Sequence, residues 1–351
     1  GVVRTEMGTH LYLADTESNT VRLMNHVGDG FTTAMDVREP SISRDGSTVL
    51  FLTRGTGALV PGFVDSDTSF RTLFATDTET GAVRALTATA TTPLRPSNGR
   101  VEDYDVSDDG TLVVVLSGAT DLLPGLTDAN GENEIVLIDR SAGTRTLITR
   151  SAVTGGTAAG RSSRPRIAPQ GTTVVFQRTS TDLVPGGLGG PFGMNVFAFD
   201  VETGTTRLVS HAAGAPRVRA DRPSSAPQIS AGGTIAFQSS ATDLVPGYVG
   251  VGPGFLDVFF VEPGNGGARA GSSASTPRGG LDGWREDFQL SRDGSAIALR
   301  TGAGNVIPGF VDRNGSTFAS DNPQVDLFYV DLFTGAVELI GHASGQPNVG
   351  S

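Results

Sequence analysis

Ser239-Ser240-Ala241-Thr242-Asp243-Leu244-Val245-Pro246-Gly247 is the stretch on which the fold turns, because its last four residues, or close variants, recur four more times at even intervals. The prolines stand at Pro61, Pro124, Pro185, Pro246 and Pro308, with steps of 63, 61, 61 and 62 residues. One unit of about 62 residues therefore builds the chain. A repeated unit is first of all a way to bury a core, so the spacing speaks to architecture before it speaks to chemistry.

Working outward from the quoted residues, each unit opens with a short alternating stretch, a Gly turn and a β-rich run. Ser41-Ile42-Ser43, Asp45-Gly46 and Thr48-Val49-Leu50-Phe51 are the first complete copy. The turn recurs at Asp109-Gly110, Gln170-Gly171, Gly232-Gly233 and Asp293-Gly294. This reads as a hairpin whose second strand, nearly all apolar, is covered on both faces. After the Pro-Gly loop comes a second hairpin, such as Asn195–Asp200, Glu202-Thr203-Gly204 and Thr206–Val209. Four antiparallel strands per repeat make a propeller blade.

The expected fold is all-β: a six-bladed propeller of four-stranded antiparallel blades, with one blade incomplete and split between the chain termini. The residue ending each third strand (Asp15, Asp77, Asp139, Asp200, Glu262, Asp331) counts six outer hairpins, against five inner ones. The expected boundaries within one domain, 1–351, are 1–38 for the outer strands of the incomplete blade and 39–101, 102–163, 164–225, 226–286 and 287–342 for five full blades. Residues 343–351 form a tail. Because the first residue is Gly1, an upstream segment is expected to have been removed. An unpaired sheet edge is a pairing hazard, so the missing strands are expected from further sequence of the same polypeptide or from a protein partner that adds a strand.

Composition narrows the chemistry. The net charge is -11, which argues against a nucleic-acid binder needing a basic footprint. There is no cysteine, and all 26 basic residues are arginine. Thiol nucleophiles, Cys-ligated zinc, a Walker-type phosphate lysine and a lysine Schiff base are excluded. No run approaches the length of a membrane span, so none is expected.

The unit running from Pro227-Gln228-Ile229-Ser230 through the quoted loop to Asp257-Val258-Phe259-Phe260 resembles the TolB-like (PD40-type) bacterial propeller repeat, over almost the whole chain. The resemblance implies a propeller outside the cytoplasm, periplasmic or extracellular, that serves as a binding platform. The separate N-terminal α/β domain of TolB has no counterpart here. Nor does the chain contain the Gly-x-Ser-x-Gly elbow of the hydrolase domain that propeller peptidases carry.

Two sets of side chains are candidate binding residues. Segments linking one blade to the next carry Arg95 and Arg100; Arg161, Arg164 and Arg166; Arg217, Arg219 and Arg222; and Arg278 and Arg285, the last beside Trp284. Guanidinium forks suit carboxylate, sulfate or phosphate, and an indole stacks on a sugar, so Arg95, Arg100, Arg164, Arg166, Arg219, Arg222, Trp284 and Arg285 are the expected site for an acidic glycan or small anion. The competing reading has Glu102, Asp103, Asp105, Asp221 and Glu286 neutralising these arginines so that they pin the linkers. No cofactor is demanded by any motif. Calcium is the metal the Asp-x-Asn-Gly loops admit, at Asp128, Asn130, Glu132 and Glu134, with similar starts at Asp65-Ser66-Asp67 and Asp312-Arg313-Asn314-Gly315. Such clusters are also ordinary turn formers. His26, His211 and His342 occupy one repeat position after the fourth strand, so they assemble neither a metal cluster nor a triad; His10 has no assigned role.

The leading functional expectation is a non-catalytic binding or structural scaffold for protein partners, working through its Pro-Gly loop face. The alternative is binding or cleavage of acidic polysaccharide at the arginines, with Tyr104, between Asp103 and Asp105, as the residue to move a proton.

Overall fold

The computed structural model describes residues 10–27, 32–33, 36–54, 59–64, 70–128, 130–250, 255–264, 266–271, 280–282, 287–310, 325–343 and 346–350. Every regular element among them is a β-strand. The chain divides into two compact units, Gly1–Gly171 and Thr172–Ser351. Counted along the sequence, the blades of this all-β propeller are one two-stranded hairpin and five four-stranded sheets.

In the first unit, β1 (Tyr12–Asp15) pairs with β2 (Thr20–Leu23), and β3 (His26–Val27) with β4 (Thr32–Thr33). The first full sheet is β5 (Arg38–Ile42), β6 (Thr48–Thr53), β7 (Thr72–Asp77) and β8 (Val83–Ala85), in that order. The second is β9 (Val101–Val106), β10 (Leu112–Ser117), β11 (Glu134–Asp139) and β12 (Thr144–Leu147), and β13 (Ser162–Ile167) opens the next blade. The second unit holds β14 (Thr173–Arg178), β15 (Asn195–Asp200) and β16 (Thr205–Leu208). Its complete sheets are β17 (Ser224–Ile229), β18 (Ile235–Ser239), β19 (Asp257–Val261) and β20 (Arg269–Ala270), then β21 (Asp287–Leu290), β22 (Ala296–Thr301), β23 (Asp326–Asp331) and β24 (Val337–Leu339). A last pair, β25 (His342–Ala343) and β26 (Gln346–Gly350), closes the described chain.

The strands follow from their residues. β6 and β18 are buried along their whole length, and β7, β11 and β15 in all but their last residue, as near-continuous apolar runs require. Outer strands such as β12 alternate instead. Between neighbouring sheets the apolar faces interlock: one cluster takes Leu50 and Leu73 from one sheet with Val113, Val115 and Val136 from the next.

Polar side chains at repeat-related positions stitch the blades internally. The second residue after four of the outer strands supplies an oxygen to a backbone N–H fourteen positions earlier: Asn25 to Leu11, Thr87 to Leu73, Thr149 to Ile135 and Ser210 to Val196, at 2.8–3.0 Å. At the opposite end, the third-strand aspartates Asp77, Asp139, Asp200 and Asp331 accept from the N–H groups of their own turns, which explains their regular recurrence.

The inner strands carry a departure from plain strand geometry. Glu39, Arg164 and Ala226 are left-handed, with φ of 48°, 52° and 52°, and each precedes a proline. Register slips at Arg38/Ser41 and Ser225/Gln228 mark two of these kinks as bulges. At Tyr104 the second blade has no proline, and the phenol donates to the Glu39 carbonyl in the first blade's kink.

Inner strands are also tied blade to blade by side chains 62 residues apart. The Asp105 carboxylate accepts the Ile167 N–H at 2.9 Å, and the Gln228 amide oxygen accepts the Leu290 N–H at 2.8 Å. The Gln228 amide nitrogen also donates to the Phe288 carbonyl at 2.7 Å.

Candidate functional site

The Leu-Val-Pro-Gly stretch is a turn with a mechanism. In all five copies the residue after the glycine donates its N–H to the residue before the proline: Phe63 to Val60, Leu126 to Leu123, Gly187 to Val184, Tyr248 to Val245 and Phe310 to Ile307. The glycines sit at φ of 68° to 82°, where a type II turn needs them. The residues ahead of this turn bind the linker beside it. Ser239 donates to the Pro223 carbonyl and accepts from Ala241 N–H, and Ser117 does the same between Arg100 and Ala119.

The motif aspartate completes a reciprocal clasp. Asp243 accepts the Asp221 N–H at 3.0 Å while Asp221 accepts the Thr242 N–H at 2.8 Å. Asn98 with Thr120 and Asp121, and Asp282 with Gly304 and Asn305, repeat the exchange. Burial raises the Asp243 carboxyl; for Asp221 burial is outweighed by the Thr242 hydroxyl and N–H, which hold it low. In these three blades the loop and the linker therefore share one end of the sheet, as the sequence implies.

The sequence-predicted arginines fall into distinct settings. Arg100 faces Glu102 at 3.5 Å, and Arg166 meets Asp103 at 3.0 Å and the Pro165 carbonyl at 2.5 Å. Arg219 is buried, spanning the Ser180 and Gly190 carbonyls at 3.4 and 2.9 Å, and Arg222 reaches the Ser240 carbonyl at 3.4 Å. Arg95 and Arg164 are exposed. Trp284, Arg285, Arg278 and Glu286 lie outside the described residues.

In the loop proposed from sequence for calcium, the donor groups serve the loop itself. Asp128 accepts from the Asn130 and Gly131 N–H groups, and Asn130 accepts from Glu132 N–H. The Asn130 amide donates to Glu134 at 3.1 Å and to the Ala158 carbonyl at 2.6 Å. Among the described residues, no group of three His, Cys, Asp or Glu side chains has metal-binding geometry. The stretches 65–67 and 312–315 are outside the described residues. His211 is buried with Nδ1 2.8 Å from the Ala212 carbonyl oxygen, and the side chains of His26 and His342 are not among those described.

The Tyr104 neighbourhood is the most perturbed spot electrostatically. Burial first, then the charges of Glu39, Asp103 and Asp105, pushes the phenol far above its ordinary value, so it is a poor source of a catalytic base. Burial likewise pushes the Asp105 carboxyl up, against the Ile167 and Val106 N–H donors and Arg166. A carboxyl raised in the fold contributes its stability below the unfolded value, about 4, and loses it as pH rises through the folded value. Asp105→Asn removes that titration. Denaturant curves taken at about pH 4 and at neutrality should show the variant gaining on the native protein as pH rises. A gap that stays constant across the range would refute the assignment.

Two features at the blade ends were not evident from the sequence. In both units the loop end carries exposed apolar side chains: Val64, Leu94 and Val153 in the first, Phe192, Val218 and Val249 in the second, with Val153 73% and Phe192 75% exposed. The described residues of the first unit also form cavities, of which two bear on function. One of about 560 Å³ lies between the Pro-Gly turn of the second blade, the end of β12 and the 150–156 loop. The other, about 350 Å³ at the Asp-Gly turn end, is lined by Asp77 and Asp109 as well as Arg84 and Arg140, so its charges balance.

No protein-family model matches the chain, and no curated protein matches it. Solved structures do. An oligogalacturonate lyase from Vibrio parahaemolyticus is 12% identical with a TM-score of 0.51, over 96% of this chain and 74% of that one. An oligogalacturonate lyase in complex with manganese is 14% identical with a TM-score of 0.50, over 93% and 69%. A prolyl endopeptidase is 13% identical with a TM-score of 0.51, over 88% of this chain but 36% of that one. At such identities the likeness is one of fold, and the shared fold is the β-propeller.

Proposed function

We propose that this chain is a binding or scaffold propeller of the TolB-like kind, acting outside the cytoplasm, and that its loop ends engage a protein partner. The observation that supports this is the recurrence of solvent-facing apolar side chains at the loop end, while the polar residues of the same loops are spent on turns and clasps. An apolar residue on an exposed turn gains nothing for the fold, and apolar side chains ringed by polar groups mark association surfaces. The resemblance in repeat sequence supports the location. Among the described residues no helix is long and apolar enough to cross a membrane, which leaves crossing by strands unaddressed.

Replacing Val153 and Phe192 with serine tests the reading. In cross-linking and co-purification from the source organism, the native protein should retain a protein partner that the double variant loses, with the melting temperature of the variant unchanged. Equal recovery of the same partner by both proteins would rule these side chains out of the interface.

A further inference from the structure

The larger cavity coincides with a place where the repeat breaks its own rule. Four of the six outer strands present an arginine at one register position: Arg22 opposite Leu13, Arg84 opposite Ala75, Arg207 opposite Ala198 and Arg269 opposite Phe260, while the last has Glu338 there, opposite Tyr329. In the second blade that position is Thr146, opposite Leu137, and the arginine stands one residue earlier, at Arg145 opposite Ile138. A shift of one residue along a strand moves a side chain to the other face of the sheet.

The displaced guanidinium is fixed rather than free. Arg145 Nη1 donates to the Ala88 and Leu122 carbonyls at 2.7 and 2.9 Å, and Nη2 donates to the Leu86 carbonyl at 2.9 Å. All three acceptors are neutral, and two of its five N–H groups are left over. Arg150, which lines the same cavity, spends among the described residues only its Nε–H, on the Gly155 carbonyl at 2.7 Å. Neither arginine has a salt bridge among the described residues, and no acidic residue lines the cavity. Asp121 is close enough to act on Arg145 but is held by the Asn98 N–H and does not line the space. The rest of the wall mixes the Thr127, Thr146 and Thr154 hydroxyls with the apolar Leu123 and Pro124.

We propose that this cavity binds an anionic sugar, a uronic acid residue, with its carboxylate between Arg145 and Arg150 and its hydroxyls on the threonines. Two guanidiniums without a salt bridge among the described residues, one of them held in place before any ligand arrives, suit a carboxylate. Threonine hydroxyls with an apolar flank suit a ring that carries both hydroxyl and C–H faces. The volume of about 560 Å³ admits one or two sugar rings, within the range of small-molecule sites. The proposal is independent of the protein-binding reading, since it uses none of the exposed apolar side chains.

Saturation-transfer NMR and calorimetry with D-glucuronate, with D-glucose as the neutral counterpart and inorganic sulfate as the bare anion, test it. Glucuronate should bind, glucose should not, and Arg150→Gln should weaken glucuronate by about tenfold, the effect of losing a charge-assisted hydrogen bond. Arg145→Gln should do the same; because Arg145 also ties loops together, Arg150→Gln and Thr154→Ala decide the matter if that variant does not fold. The site is refuted by absence of glucuronate binding, by glucose binding equally well, or by unchanged affinity in Arg150→Gln. Sulfate binding as tightly as glucuronate overturns the sugar assignment.

Discussion

Phe259→Ala is expected to cost about 3–5 kcal/mol, the usual range for removing a fully buried aromatic ring. Phe259 on β19 has no exposed surface; it stacks on Phe237 at 6.1 Å and meets Tyr248 edge-on at 5.2 Å. The loss reaches beyond the cavity. Tyr248 donates to the buried Asp257 carboxylate, which also accepts the Leu281 N–H at 2.9 Å. A ring that seats Tyr248 therefore helps keep a desolvated carboxyl supplied with donors. Denaturant titration should show a large drop in midpoint, whereas Val249→Ala, at a position 69% exposed, should stay within about 0.5 kcal/mol. A Phe259→Ala loss of less than about 1 kcal/mol would mean that the fourth blade is not packed as described.

The second large effect is expected from one added methyl. At Gly99 a Cβ would lie 2.3 Å from the Ala119 nitrogen and 2.5 Å from the Gly118 carbonyl carbon, both backbone atoms with no rotamer to relieve the clash. Linker and loop would have to part. They are joined on both sides of Gly99, by the Asn98–Asp121 and Thr120–Asn98 bonds before it and by the Gly118 N–H to the Arg100 carbonyl after it. Overpacking together with the loss of such bonds puts Gly99→Ala at about 3 kcal/mol or more. Gly304→Ala, where a Cβ meets nothing within 4 Å, is the matched control and should be within about 0.5 kcal/mol of the native protein. Similar losses in the two variants would refute the steric account.

The architecture was legible because its punctuation is chemical. Proline and glycine at the central positions of a type II turn announce themselves, and so do the aspartates that cap the outer turns. The role of Asp243 was hidden, because a reciprocal clasp joins residues more than twenty apart and has no local pattern. Arg219 and Arg222 read from sequence as a ligand surface, yet their guanidiniums are directed at backbone carbonyls. Nothing in the composition of a linker reveals where its chain turns. Arg145 was legible in principle: setting Thr144-Arg145-Thr146-Leu147 against Thr206-Arg207-Leu208 exposes the one-residue displacement, but only once strand register is fixed.

The inner-strand ties bear on assembly errors. Five look-alike hairpins in one chain invite exchange, since any inner strand offers nearly the same ladder to any neighbour. The bonds between adjacent inner strands are not interchangeable, however. One blade presents a carboxylate that can only accept, whereas the next tie in the second unit is an amide that must both accept and donate. A hairpin seated beside the wrong neighbour would leave a half-buried donor or carboxylate unanswered. The kinks before the prolines add a second check, because a strand that slips by two residues meets a bend where its partner is straight. The blades of Asp105 and Gln228 thus carry a credential for their place in the order, written in a handful of polar atoms on otherwise repetitive strands.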